Sequence, residues 1–287
     1  MSTVKDLARV LRVYEQGNTS SVLVLLGQSL GQVRVLAKGA RRWSKKGFEG
    51  GFDLLTEGEL VAYPRGHGEL WILKEWDERR RFRAFPGQGD LRTVSFLCEF
   101  TEALTRETAG SSWSQEDGHA DDVLSPEGLY DQLTLAVKSL SEGQASGWVL
   151  LRYVLTAMEA GGWMPKFDSC SSCHTALPTG ATPVRLSFVG VLCQQCAAAD
   201  APLYDEAGRP GPASARCVWL TPEVLNALAF VQRTGQSVKL SVAGAKSLAR
   251  AMMLLVHAAL EHDLRTLNGA ATAIVRLSKS KRPARTN

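Results

Sequence analysis

Residues 20–40 read SSVLVLLGQSLGQVRVLAKGA, two β-rich runs separated by the pentapeptide GQSLG. Apolar and β-branched residues dominate both runs, and in the second run they alternate with polar ones, which is the pattern of a half-buried β-strand. A short glycine-containing segment between two such runs is typical of a hairpin connection. The stretch therefore predicts an antiparallel β-hairpin near the start of the chain.

Strand patterns also flank this hairpin on both sides. ARVLRVYEQ (8–16) precedes it, and FDLLTEGELVAY (52–63) and GELWILKEWDERRRFR (68–83) follow it, with PRGHG (64–68) as the turn between the last two. About five short strands within roughly 80 residues suit a small antiparallel barrel, and the OB-fold is the common barrel of that size.

The periodicity changes to that of helices after the barrel. Ser125 followed by Pro126 is typical of an N-cap and a first helical position, and Thr221 and Gly235 bracket a later helix. We therefore predict an α+β protein with an N-terminal OB-fold β-barrel, followed by a helical domain that carries an inserted four-cysteine zinc module. The expected domains are 1–84 for the OB-fold, 85–169 and 201–276 for the two parts of the helical domain, 170–200 for the zinc module and 277–287 for a basic C-terminal tail.

Four of the six cysteines form two C-x-x-C pairs, Cys170/Cys173 and Cys193/Cys196, with 19 residues between them. This spacing falls in the usual zinc-ribbon range of about 15 to 20 residues. A redox dithiol or fortuitous spacing is the alternative. The segment VRLSFVGV (184–191) is expected to form a strand that brings the second pair back to the first.

A zinc ion held by these four cysteines is expected to be structural. Four thiolates close the tetrahedral coordination sphere, whereas catalytic zinc keeps an open position for water or substrate. His174 follows the first pair directly, and we interpret it as an exposed neighbour rather than a ligand. The module therefore predicts one zinc ion that stabilises the fold.

The charge distribution suggests a polyanionic partner. The net charge is +5 for residues 1–84, −8 for residues 85–165 and +7 for residues 166–287. Two basic modules thus flank an acidic one, as in proteins that bind nucleic acid. No signal-peptide pattern is present, and no apolar run reaches the roughly 18 residues of a membrane span. We expect a cytoplasmic, nucleoid-associated protein with no membrane partner.

The richest basic cluster lies in LAKGARRWSKKGFEG (36–50), which leaves the second strand of the hairpin. Cations beside an aromatic residue are what single-strand binding needs, and OB-fold loops commonly carry such residues. An ordinary exposed loop, with its tryptophan folded back on the barrel, is the alternative. The second basic run, DERRRFR (77–83), is equally consistent with a solvated linker. The candidate DNA-binding residues are Arg12, Arg34, Lys38, Arg41, Arg42, Trp43, Lys45, Lys46, Arg79, Arg80 and Arg81.

No constellation of residues predicts catalysis. His67 and Glu69 match half of the zinc deaminase signature, but serine and leucine rather than proline precede the two cysteine pairs. VAGAKS (242–247) lacks the glycines of a phosphate-binding loop. We therefore expect no enzymatic activity and no nucleotide cofactor.

These features together resemble the RecO family of bacterial recombination-mediator proteins over nearly the whole chain. ARVLRVYEQGNTSSVLVLLGQSLGQVRVLAKGARR resembles the family's first strands, including KGAR after the third, and FDLLTEGELVAY resembles its next strand. MEAGGWMPKFDSCSSC and LSFVGVLCQQC resemble the approaches to the two cysteine pairs. The usual double glycine before the second pair is Val189-Gly190 here, and the loop at 110–124 is longer and more polar than the family pattern.

The resemblance implies a non-enzymatic protein that binds single- and double-stranded DNA and anneals complementary strands without ATP. It also implies partners: with RecR, such proteins help load RecA on DNA coated by single-strand-binding protein, whose C-terminal tail they contact. Two other hypotheses remain open from the residues themselves. One is a zinc-ribbon adaptor that binds acidic protein partners, and the other is an undetected nucleic-acid-modifying enzyme.

Overall fold

The computed structural model describes residues 2–40, 52–65, 70–82, 88–110, 125–177, 184–187, 190–199, 217–260 and 264–279. The chain divides into two compact units, residues 1–144 and 145–287. The first unit contains five strands and two helices: β1 (Val4–Gln16), β2 (Ser20–Gly27), β3 (Gly31–Ala37), β4 (Glu57–Tyr63), β5 (Trp71–Arg80), α1 (Gln88–Gly110) and α2 (Pro126–Ser141). The predicted domain boundary after residue 84 separates these two helices from the barrel, whereas the compact unit includes them.

The five strands close into a barrel in the order β1-β2-β3-β5-β4, and β4 returns to pair with β1. All pairs are antiparallel except β3 with β5, which is parallel. This is the arrangement of an OB-type Greek-key barrel, as predicted. The interior is filled by the inward-facing side chains: Ala8, Val10, Leu23, Leu25, Val33, Val35, Ala37, Leu60, Ala62 and Leu73.

The predicted hairpin forms between β2 and β3, and Asp6 of the neighbouring strand holds its turn. The Asp6 carboxylate accepts hydrogen bonds at 3.0 Å from the backbone N–H groups of both Ser29 and Leu30. Gly27 lets the carboxylate approach, since a side-chain Cβ at this position would overlap Asp6 Oδ2. The turn is therefore tied to β1 by a charge-assisted contact that lies outside the hairpin itself.

Gly58 on β4 is a second position where the barrel requires the absence of a side chain. A Cβ there would overlap the indole ring of Trp76 on β5. We expect Gly58→Ala to destabilise the barrel by about 1 to 3 kcal/mol, because the packed ring must shift to make room. Urea unfolding followed by hydrogen exchange in β4 and β5 measures this cost. The same change in a Trp76→Leu background should cost clearly less, and an equal cost in both backgrounds would contradict the overlap.

The second unit is mainly helical. Its elements are α3 (Ser146–Ala160), β6 (Val184–Ser187), β7 (Gly190–Leu192), α4 (Gln194–Ala199), β8 (Cys217–Leu220), α5 (Pro222–Thr234), α6 (Val242–Leu260), α7 (Leu267–Val275) and a 3₁₀ turn (Arg276–Lys279). The strands form a three-stranded sheet in the order β7-β6-β8. The single strand expected over 184–191 is therefore wrong: β6 and β7 are separate and pair antiparallel, with Ser187 opposite Gly190.

The predicted helix ends agree with the structure in most details. The Ser125 hydroxyl accepts the N–H of Gly128 at 3.0 Å, as an N-cap does, and Pro126 opens α2. Gly235 ends α5 in the left-handed conformation at φ 65°. Thr221 stands at the N-cap of α5 but makes no capping hydrogen bond through its side chain.

Helix α6 qualifies as a membrane span by length and composition, contrary to the expectation that no segment does. Its most apolar stretch is 50% buried inside the protein. Leu248, Met252 and Leu255 are among its buried residues and follow helical spacing. This is the packing of a core helix.

Candidate metal centre and nucleic-acid interface

The four cysteines of the two C-x-x-C pairs meet in the second unit. Their sulfur atoms all lie within 4.8 Å of one another, and the sulfurs of Cys173 and Cys193 are 3.8 Å apart. A tetrahedral ion with metal–sulfur bonds of about 2.3 Å requires sulfurs roughly 3.8 Å apart. The cluster therefore has the dimensions of a four-thiolate metal site.

The first pair sits on a tight turn whose backbone is fully engaged. The N–H of His174 donates to the carbonyl of Cys170 at 2.9 Å, and the N–H of Cys170 donates to the carbonyl of Thr175 at 2.9 Å. His174 takes φ 58°, a left-handed conformation that lets the chain reverse directly after the second sulfur. Its exposed side chain is not part of the group of candidate ligands.

Strand β7 places the second cysteine pair beside the first. The N–H of Ser171 donates to the carbonyl of Val191 at 2.8 Å, and the Ser171 hydroxyl accepts the N–H of Val191 at 3.1 Å. Gly190 has φ 120°, and a Cβ there would overlap Ser171 Oγ. Both the backbone conformation and this close contact therefore require glycine at position 190.

Backbone N–H groups point at the sulfurs and favour the thiolate form. Hydrogen bonds from the backbone of Cys173 and then of Cys193 lower the pKa of Cys170 to about 6. Hydrogen bonding with the Thr175 hydroxyl also lowers the pKa of Cys173. Hydrogen bonds with the Cys173 and Cys193 thiols raise the pKa of Cys196, so the metal-free cluster retains protons there. A divalent ion would displace these protons.

The donor set fits a structural ion. Cys170 is fully buried, Cys193 and Cys196 are half-buried, and Cys173 is exposed. Four thiolates fill the coordination sphere and leave no position for a reacting water. Bound there, an ion would join the turn at Cys170–Cys173 to the start of α4.

On the barrel, two of the predicted DNA-binding residues lie on the outward face of the sheet. Arg34 and Lys38 are both exposed and, among the residues that the structure describes, neither has a carboxylate within ion-pair distance. Lys38 and Leu36 line a surface depression of about 520 Å³ beside Gln16 and Ser20. This side of β3 therefore offers cations and an apolar side chain to a ligand.

Arg12 lies on the same face but forms an ion pair with a carboxylate. Its Nε is 2.6 Å from the Glu102 carboxylate on α1, which is 1% exposed and also pairs with Arg106. The Arg12 guanidinium further lies 5.8 Å from the centre of the Tyr14 ring. The structure thus gives Arg12 an intramolecular role that its position in the sequence did not suggest.

The three arginines of the second basic run also have acidic neighbours. Each lies near carboxylates of β4, β5 or the preceding loop: Arg79 is 2.6 Å from Glu59 and 3.2 Å from Asp77, Arg80 is 3.9 Å from Glu57, and Arg81 is 2.7 Å from Glu78 and 3.8 Å from Asp53. Exposed ion pairs contribute little stability and exchange readily. Their local charge is nevertheless largely balanced, in contrast to that of Arg34 and Lys38. The remaining candidates, Arg41, Arg42, Trp43, Lys45 and Lys46, lie outside the described residues.

Partly exposed apolar side chains lie beside the cations on this face, a feature that we did not predict from the sequence. Tyr14 is 41% exposed, and Leu36 is half-buried on the outward side of β3. The signal was present in the period-two alternation, which places Leu36 in register with Arg34 and Lys38. Apolar residues in a strand usually fill the core, so composition alone does not mark Leu36 as a surface residue.

The described residues thus form an OB-type barrel and a mainly helical unit that carries a four-cysteine centre. Residues 1–80 match the family "Recombination protein O N terminal", and residues 125–209 match "Recombination protein O C terminal". The chain belongs to the RecO family, a family of DNA repair and recombination proteins.

Relatives from several bacteria agree with this assignment. The chain is 28% identical to the DNA repair protein RecO of Anaeromyxobacter sp. (strain K) over 200 residues, which cover 69% of this chain and 72% of that protein. It is 28% identical over 257 residues to the DNA repair protein RecO of Anaeromyxobacter sp. (strain Fw109-5), with 89% of each chain covered. The DNA repair protein RecO of Rhodopirellula baltica is 28% identical over 194 residues, 66% of each chain.

Proposed function

We propose that this protein is a non-enzymatic, cytoplasmic DNA-binding mediator that anneals complementary strands and helps load RecA on single-stranded DNA with RecR. The observation that carries the DNA-binding part is the exposed pair Arg34 and Lys38 on the outward face of an OB-type barrel. Membership of a DNA repair and recombination family supports the biological setting. The partners in this proposal are single- and double-stranded DNA, RecR and the C-terminal tail of single-strand-binding protein.

Annealing by such a protein needs no reacting side chain. Two complementary strands repel each other through their phosphates, and cations on the protein surface lower that repulsion when both strands are held together. Arg34 and Lys38 supply such cations on the described part of the barrel, and the basic residues at 41–46 extend the charge along the sequence. Pairing itself is then driven by the bases.

We also propose zinc as the ion of the four-cysteine centre. Soft thiolates select zinc over hard cations such as magnesium or calcium, and the tetrahedral dimensions of the cluster fit zinc. Cys170, Cys173, Cys193 and Cys196 would hold one ion, which would supply structural stability and no reaction chemistry.

Salt-dependent DNA binding is the direct test of the proposal. We expect affinity for single-stranded oligonucleotides to fall by about 0.7 log units per phosphate contact for each tenfold rise in salt. Strand annealing measured beside it should proceed without ATP. No detectable binding to single- or double-stranded oligonucleotides, even in dilute buffer, would contradict the function.

The double variant Arg34→Ala/Lys38→Ala is expected to weaken single-strand binding about tenfold at low salt and to reduce the salt slope by about 1.4, because two phosphate contacts are removed. Fluorescence anisotropy with a labelled oligonucleotide at several salt concentrations measures both quantities. Arg79→Ala/Arg81→Ala is the matched control, since it also removes two positive charges from the barrel, but ones with carboxylate partners. Equal losses in the two variants would show that net charge alone, rather than this face, governs binding.

A further inference from the structure

The strand register aligns a continuous apolar row across the outer surface of the barrel. Directly paired residues of neighbouring strands point to the same face of a sheet. Tyr14 on β1 pairs with Val22 on β2, and Val22 pairs with Leu36 on β3. Leu36 pairs in turn with Ile72 on β5, and Ile72 with Tyr63 on β4. We call these five residues the outer row.

The outer row faces away from the barrel core. Its members alternate along their strands with residues that fill the interior, such as Leu23 on β2 and Val35 on β3. Tyr14 is 41% exposed and the other four members of the row are half-buried. A tyrosine thus stands at each end of a partly solvated apolar surface.

Cations lie on both sides of this row. Arg34 and Lys38 occupy the outward positions immediately before and after Leu36 on β3, each roughly 7 Å along the strand from it. A row of apolar and aromatic side chains between two cations is complementary to a chain that carries phosphates outside and flat, uncharged rings inside. That description fits single-stranded nucleic acid.

The Tyr14 ring is also held in place. The Arg12 guanidinium lies 5.8 Å from the ring centre, and Arg12 is itself bound at 2.6 Å by the carboxylate of Glu102. Because Glu102 is 1% exposed on α1, this chain of contacts anchors an exposed ring to a buried group. A pre-positioned ring loses less side-chain entropy when a base stacks on it.

We propose that unpaired bases stack on the outer row, with Tyr14 as the principal stacking residue, and that this row favours single strands over duplex. The inference rests on the proposed DNA-binding function and assigns it a specificity element. In a duplex the base faces are covered by their neighbours, so a duplex can use Arg34 and Lys38 but not the row. The cations then supply general affinity and the row supplies the preference for single strands.

The test compares an oligothymidylate of about 15 nucleotides with an abasic oligonucleotide of the same length, which has the phosphates but no bases. Wild-type protein is expected to bind the base-bearing strand more tightly. Tyr14→Ala should weaken binding of the base-bearing strand about tenfold, within the range of one base–aromatic stack, and leave binding of the abasic strand unchanged within about twofold. Unchanged abasic binding also shows that the variant remains folded.

Two controls complete the design. Tyr14→Phe keeps the ring and should retain the base preference. Trp219→Ala removes an aromatic side chain of similar exposure, 39%, from β8 of the second unit and should also leave the preference intact.

The outcomes separate this inference from the proposed function. If neither oligonucleotide binds the wild-type protein, the DNA-binding function itself fails. If both bind but Tyr14→Ala weakens them equally, or weakens neither, DNA binding stands and base stacking on Tyr14 is overturned. Selective loss of binding to the base-bearing strand in Tyr14→Ala supports the inference.

Discussion

Cys170→Ser is expected to abolish binding of the proposed zinc ion and to unfold the cysteine module, the largest single effect that we predict. Cys170 is fully buried, and its sulfur also accepts the N–H of Cys193 at 3.4 Å. Zinc binding by four thiolates contributes on the order of ten kcal/mol to the folding of small zinc domains. A serine oxygen replaces one soft ligand with a weak one, so most of that contribution is lost.

Metal content and thermal unfolding measure this loss. The purified wild-type protein should contain about one zinc per chain, and the variant should contain much less and lose its structure at a lower temperature. Cys217→Ser is the matched control, because this half-buried cysteine of the same unit lies outside the cluster. It should retain the metal.

A second measurement covers the case in which Cys170→Ser cannot be purified. Titration of the wild-type protein with a chelator should lower its thermal stability, and added zinc should restore it, because the ion and the fold are linked. A metal-free protein with unchanged stability would contradict the structural role. A purified Cys170→Ser variant that contains a full equivalent of zinc would contradict this role as well.

Arg9→Met is expected to destabilise the first unit by about 3 to 5 kcal/mol, because it removes the buried cation of a buried carboxylate. The other cation near that carboxylate, Arg80, is exposed and 3.9 Å away. Arg9 is 3% exposed and forms an ion pair with Glu57. It also donates to the carbonyl of Leu55 and to the hydroxyl of Thr134, both at 3.0 Å. One guanidinium therefore links β1, the approach to β4 and helix α2.

Tyr130 completes this network from α2. Its hydroxyl donates to the Glu57 carboxylate at 3.0 Å, and its ring lies 5.5 Å from the Arg9 guanidinium. Burial, and to a smaller extent the Glu57 charge, raises the pKa of Tyr130, so the hydroxyl stays a donor at neutral pH. Without Arg9, the Glu57 carboxylate retains this hydrogen bond but loses its buried cation.

Urea unfolding of the full chain, followed by hydrogen exchange in β1 and α2, measures the cost. The double variant Arg9→Met/Glu57→Met should recover part of the lost stability, because it removes both buried charges. The recovery should be incomplete, since the Tyr130 hydroxyl loses its acceptor and the Leu55 carbonyl and the Thr134 hydroxyl lose the Arg9 donor. Arg79→Ala, which breaks exposed ion pairs with Glu59 and Asp77, should leave the stability nearly unchanged. A small cost for Arg9→Met would contradict the expectation that the buried Glu57 carboxylate depends on this guanidinium.

The features predicted correctly from the sequence are those encoded by neighbouring residues. The hairpin around GQSLG, the N-cap at Ser125 and the grouping of Cys170/Cys173 with Cys193/Cys196 all follow from short patterns. Each pattern works because its interacting groups lie a few residues apart, or because one ligand type defines the geometry, as the four thiols do. The error over 184–191 has the same origin, since the short pattern VRLSFVGV does not show where one strand ends and the next begins.

The roles of the barrel's charges and outer apolar residues depend on contacts between distant segments. Arg12 and Arg34 are equivalent as sequence, two arginines in β-strands, yet Arg12 meets Glu102 of α1 and Arg34 meets no described carboxylate. The outer row likewise exists only because five strands align in one register. Local composition determines strand, turn and metal-ligand spacing. The partner and the exposure of each side chain are instead set by packing between residues tens of positions apart. These long-range contacts distinguish a neutralised arginine from one that is available to phosphate.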